Sequence, residues 1–283
     1  MESENRELAI FMCCHEHYNT VPPCTIVMQG GAAINPRIEG IAYDDCGDNI
    51  SLKNDEYCEL TVIYNAWKNY DFEYYGFCHY RRFFCFNEKI TKPYLSFKRI
   101  PEKDKAGFFL SEEKVRELVT QADILVTYPE NTGLSVRDSY GMSKYQYKED
   151  LEQFVQIMLK RFPCLAEACE SYMGQNKQFF CNMFIMKKAL FFEYCEMLFP
   201  LLEEFDKSKT MHGSFQSDRT DGYIAERFFG IFLYYVSARE SGLKIKYVSR
   251  IDTECSLKKR IGCFLLPPES RRRLLAKKLL RRI

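Results

Sequence analysis

The chain has 283 residues, 46% hydrophobic and 28% charged, with a formal net charge of +1. A chain of this length and composition buries a sizeable core without disulfide or metal staples, and its charge balance gives no field-based argument for nucleic acid. Thirteen scattered cysteines without a C-x-x-C pair, and four histidines at 15, 17, 79 and 212, exclude zinc-finger spacing. The cysteines read as reduced, buried, small apolar residues of a cytoplasmic protein. Residues 1–7 are polar and no apolar run approaches the ~20 residues of a membrane span, so neither a signal peptide nor a spanning helix is expected.

Leu8–Cys14 is a continuous apolar run that predicts a buried strand, and Thr25–Gln29 predicts a second, closed by Gly30-Gly31. A polar turn follows over Asp44–Asn49. Asn54-Asp55 caps a helix expected over 56–69, with Leu60, Ile63, Tyr64 and Trp67 at helical spacing. Tyr74–His79 is the next strand. Residues 86–107 lack clean periodicity and read as a long excursion of the functional kind. A helix over 111–121, a strand over 123–127 and a polar, tyrosine-rich loop over 130–147 come next. Helices are expected over 148–161, 164–172, 188–205 and 221–238, with strands over 181–186 and 244–248. The alternation predicts an α/β mixed sheet with helices on both faces. No linker interrupts it before about Asp252, so the reading is one domain over 1–260 and a basic tail over 261–283.

In open α/β sheets ligands sit at the carboxyl ends of strands. Three such ends carry polar residues: Cys14-His15-Glu16, Gln29-Gly30-Gly31 and His79-Tyr80-Arg81-Arg82. The last is the most informative. Cations inside an aromatic run are costly to desolvate unless an anion meets them, and guanidinium forks suit phosphate oxygens. Arg81 and Arg82 therefore point to a phosphate or carboxylate ligand. The structural alternative is an ion pair with Glu59, Glu73 or Asp48. Neither G-x-G-x-x-G nor G-x-x-x-x-G-K-[ST] is present, which disfavours ordinary dinucleotide and P-loop sites. Asp44–Ser51 lacks EF-hand spacing; it reads as a turn and helix cap, or as a binder of sugar hydroxyls. Around Asp218–Arg227 five charged residues gather at a helix start. Glu226 and Arg227 either pair with the sheet or supply a carboxylate base. The terminal run containing Arg271, Arg272, Arg273, Lys277, Lys278, Arg281 and Arg282 interleaves cations with leucines. It reads as a basic amphipathic helix for an anionic membrane surface, or as a solvated tail.

The blocks 48–54, 57–61, 67–69 and Gly76–Phe84, followed by Asn182–Lys188 and Gly222–Arg227, resemble in order and spacing the DUF4422 family of bacterial glycosyltransferases found in capsule, exopolysaccharide and O-antigen gene clusters. The resemblance covers roughly residues 8 to 250. It implies a GT-A-like (Rossmann-like) fold and sugar transfer from a nucleotide donor; some related enzymes are associated with UDP-galactofuranose. Two segments depart from the family pattern. Asp138–Tyr147 keeps tyrosines but has no histidine, and Arg219-Thr220-Asp221 replaces a more aromatic version. Both are expected to face the acceptor.

The mechanism this implies differs from the usual GT-A arrangement, in which a central strand ends in a metal-holding Asp-x-Asp. Here Arg81 and Arg82 would stabilise the departing diphosphate by fixed charge, so no metal ligands are assigned and manganese or magnesium is left open but not favoured. His79 would hydrogen-bond the donor or leaving group. Cys14, His15 and Gln29 would lie near the nucleotide, with Asp48, Asn49 and Asn54 on ribose or sugar hydroxyls. Glu226 or Asp221 would be the base of an inverting transfer, and Asp138, Tyr140 and Asn182 belong to the acceptor side. The expected partners are a UDP-sugar and a lipid-linked oligosaccharide at the inner face of the cytoplasmic membrane. Two rivals use the same arginines: a non-catalytic nucleotide-sugar or carbohydrate-binding module, and a nucleotide-sugar hydrolase or phosphotransferase.

Overall fold

The computed structural model describes residues 6–266 and 270–280. The apolar runs become strands β1 (Leu8–Cys14), β2 (Thr25–Gln29) and β3 (Ala42–Tyr43), the first two as expected. The single helix expected over 56–69 is instead a short 3-10 turn at Ser51–Lys53, then α1 (Asn54–Tyr57) and α2 (Leu60–Asn69). The break falls at Cys58, which adopts φ 54°. The Asn54 amide causes it, donating to the Cys58 carbonyl at 2.7 Å and to Thr61 Oγ1 at 2.9 Å. A side chain that satisfies a backbone carbonyl in this way competes with the helix.

β4 (Tyr74–His79) turns through Tyr80-Arg81 into β5 (Arg82–Cys85), so His79 and Arg82 face each other across a tight hairpin. The excursion over 86–107 contains β6 (Tyr94–Ser96) and the start of α3 (Glu102–Phe109). α4 (Glu112–Thr120) begins where Ser111 caps it, and β7 (Ile124–Thr127) follows. The loop expected over 130–147 holds β8 (Glu130–Asn131) and α5 (Val136–Gly141). Then come α6 (Lys148–Arg161), α7 (Ala166–Gly174), β9 (Lys177–Gln178), β10 (Phe184–Lys187), α8 (Lys188–Asp206) and α9 (Thr220–Arg239). β11 (Ile245–Asp252) runs past the expected end at 248 because its second half finds its own partners. Two helices, α10 (Leu257–Leu265) and α11 (Arg271–Leu280), close the described chain. α10 spans the expected domain boundary at 260, and Arg281 and Arg282 lie outside the described residues.

The sheet is mixed. β3, β2, β1 and β4 pair in parallel; β10 is antiparallel to both β4 and β7; β11 runs parallel to β7 and β6 and antiparallel to β5. Alternate residues of β1 serve two different cores, as the period of two requires. Ala9, Phe11 and Cys13 pack with α2 and α6–α9, whereas Leu8, Ile10, Met12 and Cys14 pack with α3 and α4. Helices therefore cover both faces. The carboxyl ends of β1, β2 and β4 lie along one edge, where the cavity described below opens.

The larger core is aromatic. Phe184 stacks on Phe229 at 5.1 Å, and Tyr75 stacks on Phe191 at 4.5 Å. α7 approaches α9 so closely at Gly230 that an added Cβ would sit 2.0 Å from Tyr172 Cζ. Gly230→Ala is accordingly expected to destabilise the fold by about 1–3 kcal/mol, since overpacking outweighs the gain in helix propensity. Urea denaturation measures this as a lower midpoint at unchanged slope.

Candidate active site

The carboxyl edge of the sheet holds a cavity of about 820 Å³. Strand ends contribute Cys13, His15, Gly30 and the His79–Arg82 hairpin. The α1–α2 break contributes Asn54, Cys58 and Glu59, and α9 contributes Gly222, Tyr223 and Glu226. β11 and α10 supply Arg250, Asp252 and Lys259, while the loop before α9 supplies Phe215, Gln216 and Arg219.

A turn at Cys181-Asn182 organises the floor. Both residues are left-handed, with φ 73° and 45°, a conformation that non-glycine residues hold only when their surroundings enforce it. The strand expected over 181–186 therefore starts later, at Phe184. The Cys181 N–H donates to Glu226 Oε1 at 2.6 Å, and its carbonyl accepts from His79 Nε2 at 2.7 Å. A carbonyl only accepts, so Nε2 carries the proton and Nδ1 of the neutral ring is the free acceptor. Burial lowers the His79 pKa, against the pull of the Glu59 carboxylate 3.9 Å away, and favours that neutral form. Asn182 donates to Glu59 Oε1 at 2.8 Å and to the Gly222 carbonyl at 3.3 Å. Burial also raises the Glu226 carboxyl above its ordinary range, and Arg227, 2.5 Å from Oε2, moderates the shift.

The two arginines of the hairpin differ. Arg81 sits at the rim, 3.5 Å from Glu16 and 3.6 Å from Glu254, with its guanidinium 4.5 Å from the centre of the Tyr80 ring. Arg82 lines the cavity and has no carboxylate within salt-bridge distance among the described residues. Neither pairs with Glu59, Glu73 or Asp48. A second cavity arginine, Arg219, likewise has no ion pair among the described residues; its Nε lies 2.9 Å from Cys58 Sγ and its guanidinium 5.6 Å from the Phe215 ring centre. Arg250 is different again: Asp252 at 2.6 Å and Glu130 at 2.8 Å neutralise it. The cavity thus holds two guanidinium groups free of carboxylates among the described residues, together with a neutral histidine and a largely buried glutamate.

Six of the residues expected from the sequence meet here: His15, Asn54, His79, Arg81, Arg82 and Glu226. Others have different positions. Cys14 points to the opposite face of β1, its Sγ 3.6 Å from the Met28 carbonyl; Cys13 takes its place in the cavity. Gln29 is buried and holds a loop by bonding the Pro36 carbonyl and the Ile38 N–H, both at 2.8 Å. Asp48 accepts from Tyr64 Oη at 3.2 Å, and Asn49 caps the carbonyls of Asp45 and Gly47; both belong to the turn. Asp138 forms a reciprocal cap with Ser135 at the start of α5. Tyr140 is buried with Arg227 over its ring at 5.1 Å, so it does not face an acceptor. Asn182 lies beneath the cavity as a buried brace for Glu59. Arg273 turns back onto the protein, donating to the Leu266 carbonyl at 3.1 Å, while Arg271 and Arg272 are exposed. Lys277 and Lys278 fall within α11. Glu59, Arg219, Arg250, Asp252 and Lys259 line the cavity without having been assigned to it from the sequence. Glu59 and Arg219 carried a signal, since both lie in or beside the quoted blocks; Asp252 and Lys259 carried none.

Asp221 is also outside the cavity lining. Its carboxylate is buried against Lys209 Nζ at 2.6 Å, and Asp206, at 2.7 Å, and Glu56 share the same ammonium. Among the described residues these three acids are the one group close enough to share a metal ion. Lys209 fills the space between them, so they do not offer a vacant metal site beside the cavity. Burial raises Asp221 to about 7, against the opposing effect of Lys209. A carboxyl with a raised native pKa favours the fold below its unfolded pKa and loses that contribution as pH rises through the native value. Lys209→Met is therefore expected to cost about 3–5 kcal/mol at neutral pH, where it strands buried charge. The loss shrinks as the medium is acidified and Asp221 protonates. Denaturant midpoints at about pH 5 and about pH 8 read the difference.

The mixed sheet, covered by helices on both faces, defines an α/β protein, and its polar cavity lies at the carboxyl ends of the parallel strands, where open α/β sheets bind their ligands. The model of a family described as "Domain of unknown function (DUF4422)" matches residues 9–237, and the chain belongs to that family. Its structure is similar to one described as the apo form of the WbbM bifunctional glycosyltransferase, with 30% identity and a TM-score of 0.81 over 87% of this chain and 45% of that one. The chain thus spans under half the length of that protein. No curated protein matches it.

Proposed function

We propose that the chain is a glycosyltransferase that moves a sugar from a nucleotide-sugar donor to a saccharide acceptor in bacterial polysaccharide synthesis. The observation that carries this reading is the pair of carboxylate-free guanidinium groups, Arg82 and Arg219, in a cavity that also presents Glu226 and His79. Cavity arginines without carboxylate partners favour a multiply charged anion, and a diphosphate leaving group supplies one. In the proposed reaction the acceptor hydroxyl oxygen attacks the anomeric carbon, and the bond from that carbon to the diphosphate oxygen breaks. The nucleotide diphosphate departs with the electron pair into the field of Arg82 and Arg219. Glu226, kept proton-avid by burial, takes the hydroxyl proton. His79 presents Nδ1 as an acceptor for a donor or acceptor hydroxyl. This displacement inverts the anomeric centre and calls on fixed positive charge in place of a metal. A GT-A-like fold, a UDP-sugar (UDP-galactofuranose by family resemblance) and a lipid-linked acceptor at a cytoplasmic membrane surface belong to the same proposal.

The test is incubation of the protein with a panel of UDP-sugars and saccharide acceptors, with and without EDTA. The expected result is a glycoside and free UDP in equal amounts, with or without chelator. Donor binding without turnover would instead mark a binding module. Sugar release without an acceptor would mark a hydrolase, and activity lost to EDTA and restored by manganese would remove the fixed-charge mechanism.

A further inference from the structure

α10 leaves four large apolar side chains in solvent: Leu257 at 66% exposure, Ile261 at 49%, Phe264 at 83% and Leu265 at 61%. A helix with roughly 3.6 residues per turn places these four on one stripe. The same repeat sets Lys258 along one border of the stripe and Arg260 along the other, both exposed. The opposite side faces the protein. There Lys259 Nζ lies 2.8 Å from Asp252, and Cys263 Sγ lies 3.7 Å from both Ser96 Oγ and Tyr94 Oη. These contacts turn that side of the helix toward the protein, and the apolar stripe points outward.

No acidic residue occurs from Ser256 to Leu266 or from Ser270 to Leu280. The next helix adds the exposed cations Arg271 and Arg272. Glu254, the nearest acid in sequence before α10, faces Arg81 at 3.6 Å. An apolar stripe bordered by cations is the arrangement that enters the headgroup region of a bilayer, with the cations held at the level of anionic lipid phosphates. A protein partner would require matching carboxylates and a concave apolar surface; a bilayer requires neither.

We infer that the outer face of α10 docks the protein on an anionic lipid surface, with Leu257, Ile261, Phe264 and Leu265 in the headgroup region and Lys258 and Arg260 on lipid phosphates. Lys259, from the same helix, lines the cavity. Docking through α10 therefore sets the cavity beside the membrane, where a lipid-linked acceptor reaches it. This last step rests on the proposed transferase reading; the docking itself does not.

The experiment is co-sedimentation of the full chain with phosphatidylglycerol vesicles and with phosphatidylcholine vesicles, repeated with the Ile261→Glu, Phe264→Glu double variant. Both residues are exposed and outside the cavity lining, so fold and transfer to a soluble acceptor are expected to be unchanged. The wild type should bind phosphatidylglycerol vesicles in a salt-sensitive way and phosphatidylcholine vesicles weakly. The double variant should lose about tenfold or more of the anionic-vesicle binding. Absence of binding by the wild type, or equal binding by the variant, overturns the inference. A dimer in sedimentation velocity that the variant dissolves, without vesicle binding, also overturns it and assigns the stripe to a second copy. Vesicle binding without sugar transfer would leave the docking intact and defeat only the proposed function.

Discussion

Replacing Arg82 with alanine is expected to lower kcat/KM for sugar transfer by roughly 10²- to 10³-fold, the equivalent of losing about two charge-assisted hydrogen bonds to a phosphate. The expectation rests on the surroundings of Arg82. It lines the cavity, and no carboxylate among the described residues pairs with it. Its removal strands no internal partner, so the fold should be nearly unaffected. Arg82→Lys should recover only part of the loss, because an ammonium cannot reproduce the bidentate fork. Arg81→Ala is a useful contrast. Arg81 already serves Glu16 and Glu254 at the rim, so a substantially smaller loss is expected there. Steady-state kinetics of the three variants, with thermal melts to check folding, separate the roles. If Arg81 matters more than Arg82, the diphosphate lies at the rim rather than inside the cavity.

Glu226→Gln should be of similar or larger effect, reducing kcat by roughly 10²- to 10⁴-fold, the usual contribution of a positioned general base. Glutamine still offers an oxygen to the Cys181 N–H, so the left-handed turn should persist and donor binding should change little. The pH profile provides the discriminating readout. Burial raises the Glu226 pKa. The base is active only when ionised, so wild-type kcat should fall on the acid side at a pH above the ordinary carboxylate range. The variant's residual rate should lack that limb. An unchanged limb in Glu226→Gln would transfer the titration to another group.

The parts of the site carried by single apolar runs were legible in the sequence. β1 and β4 are buried strands and β2 a half-buried one, and their ends at 14, 29 and 79 lie on one edge because parallel strands align their carboxyl ends. Side-chain direction at those ends was not legible. A shift of one residue within a strand moves a side chain to the other face, and Cys14 and Cys13 exchange places for that reason. The difference between Arg81 and Arg82 was hidden because the acids that pair with Arg81, Glu16 and Glu254, come from distant segments of the chain. Glu59 reaches the cavity only because the helix breaks at Cys58, which depends on the Asn54 side chain bonding to the Cys58 carbonyl. Asp221 read as a base from its position at a helix start; its burial against Lys209 follows from the packing of a loop whose course the sequence does not encode locally. The extension of β11 to Asp252 similarly depends on β5 and β6 lying alongside it.

The proposed chemistry requires that the cavity hold a nucleotide diphosphate by its arginines. Calorimetric titration of UDP and of uridine into the wild type and Arg82→Ala, all in EDTA, measures that contact directly. The prediction is that UDP binds the wild type at least tenfold more tightly than uridine without metal, and that most of this advantage disappears in Arg82→Ala while uridine binding is unchanged. UDP binding that requires added manganese and is indifferent to Arg82 would contradict it.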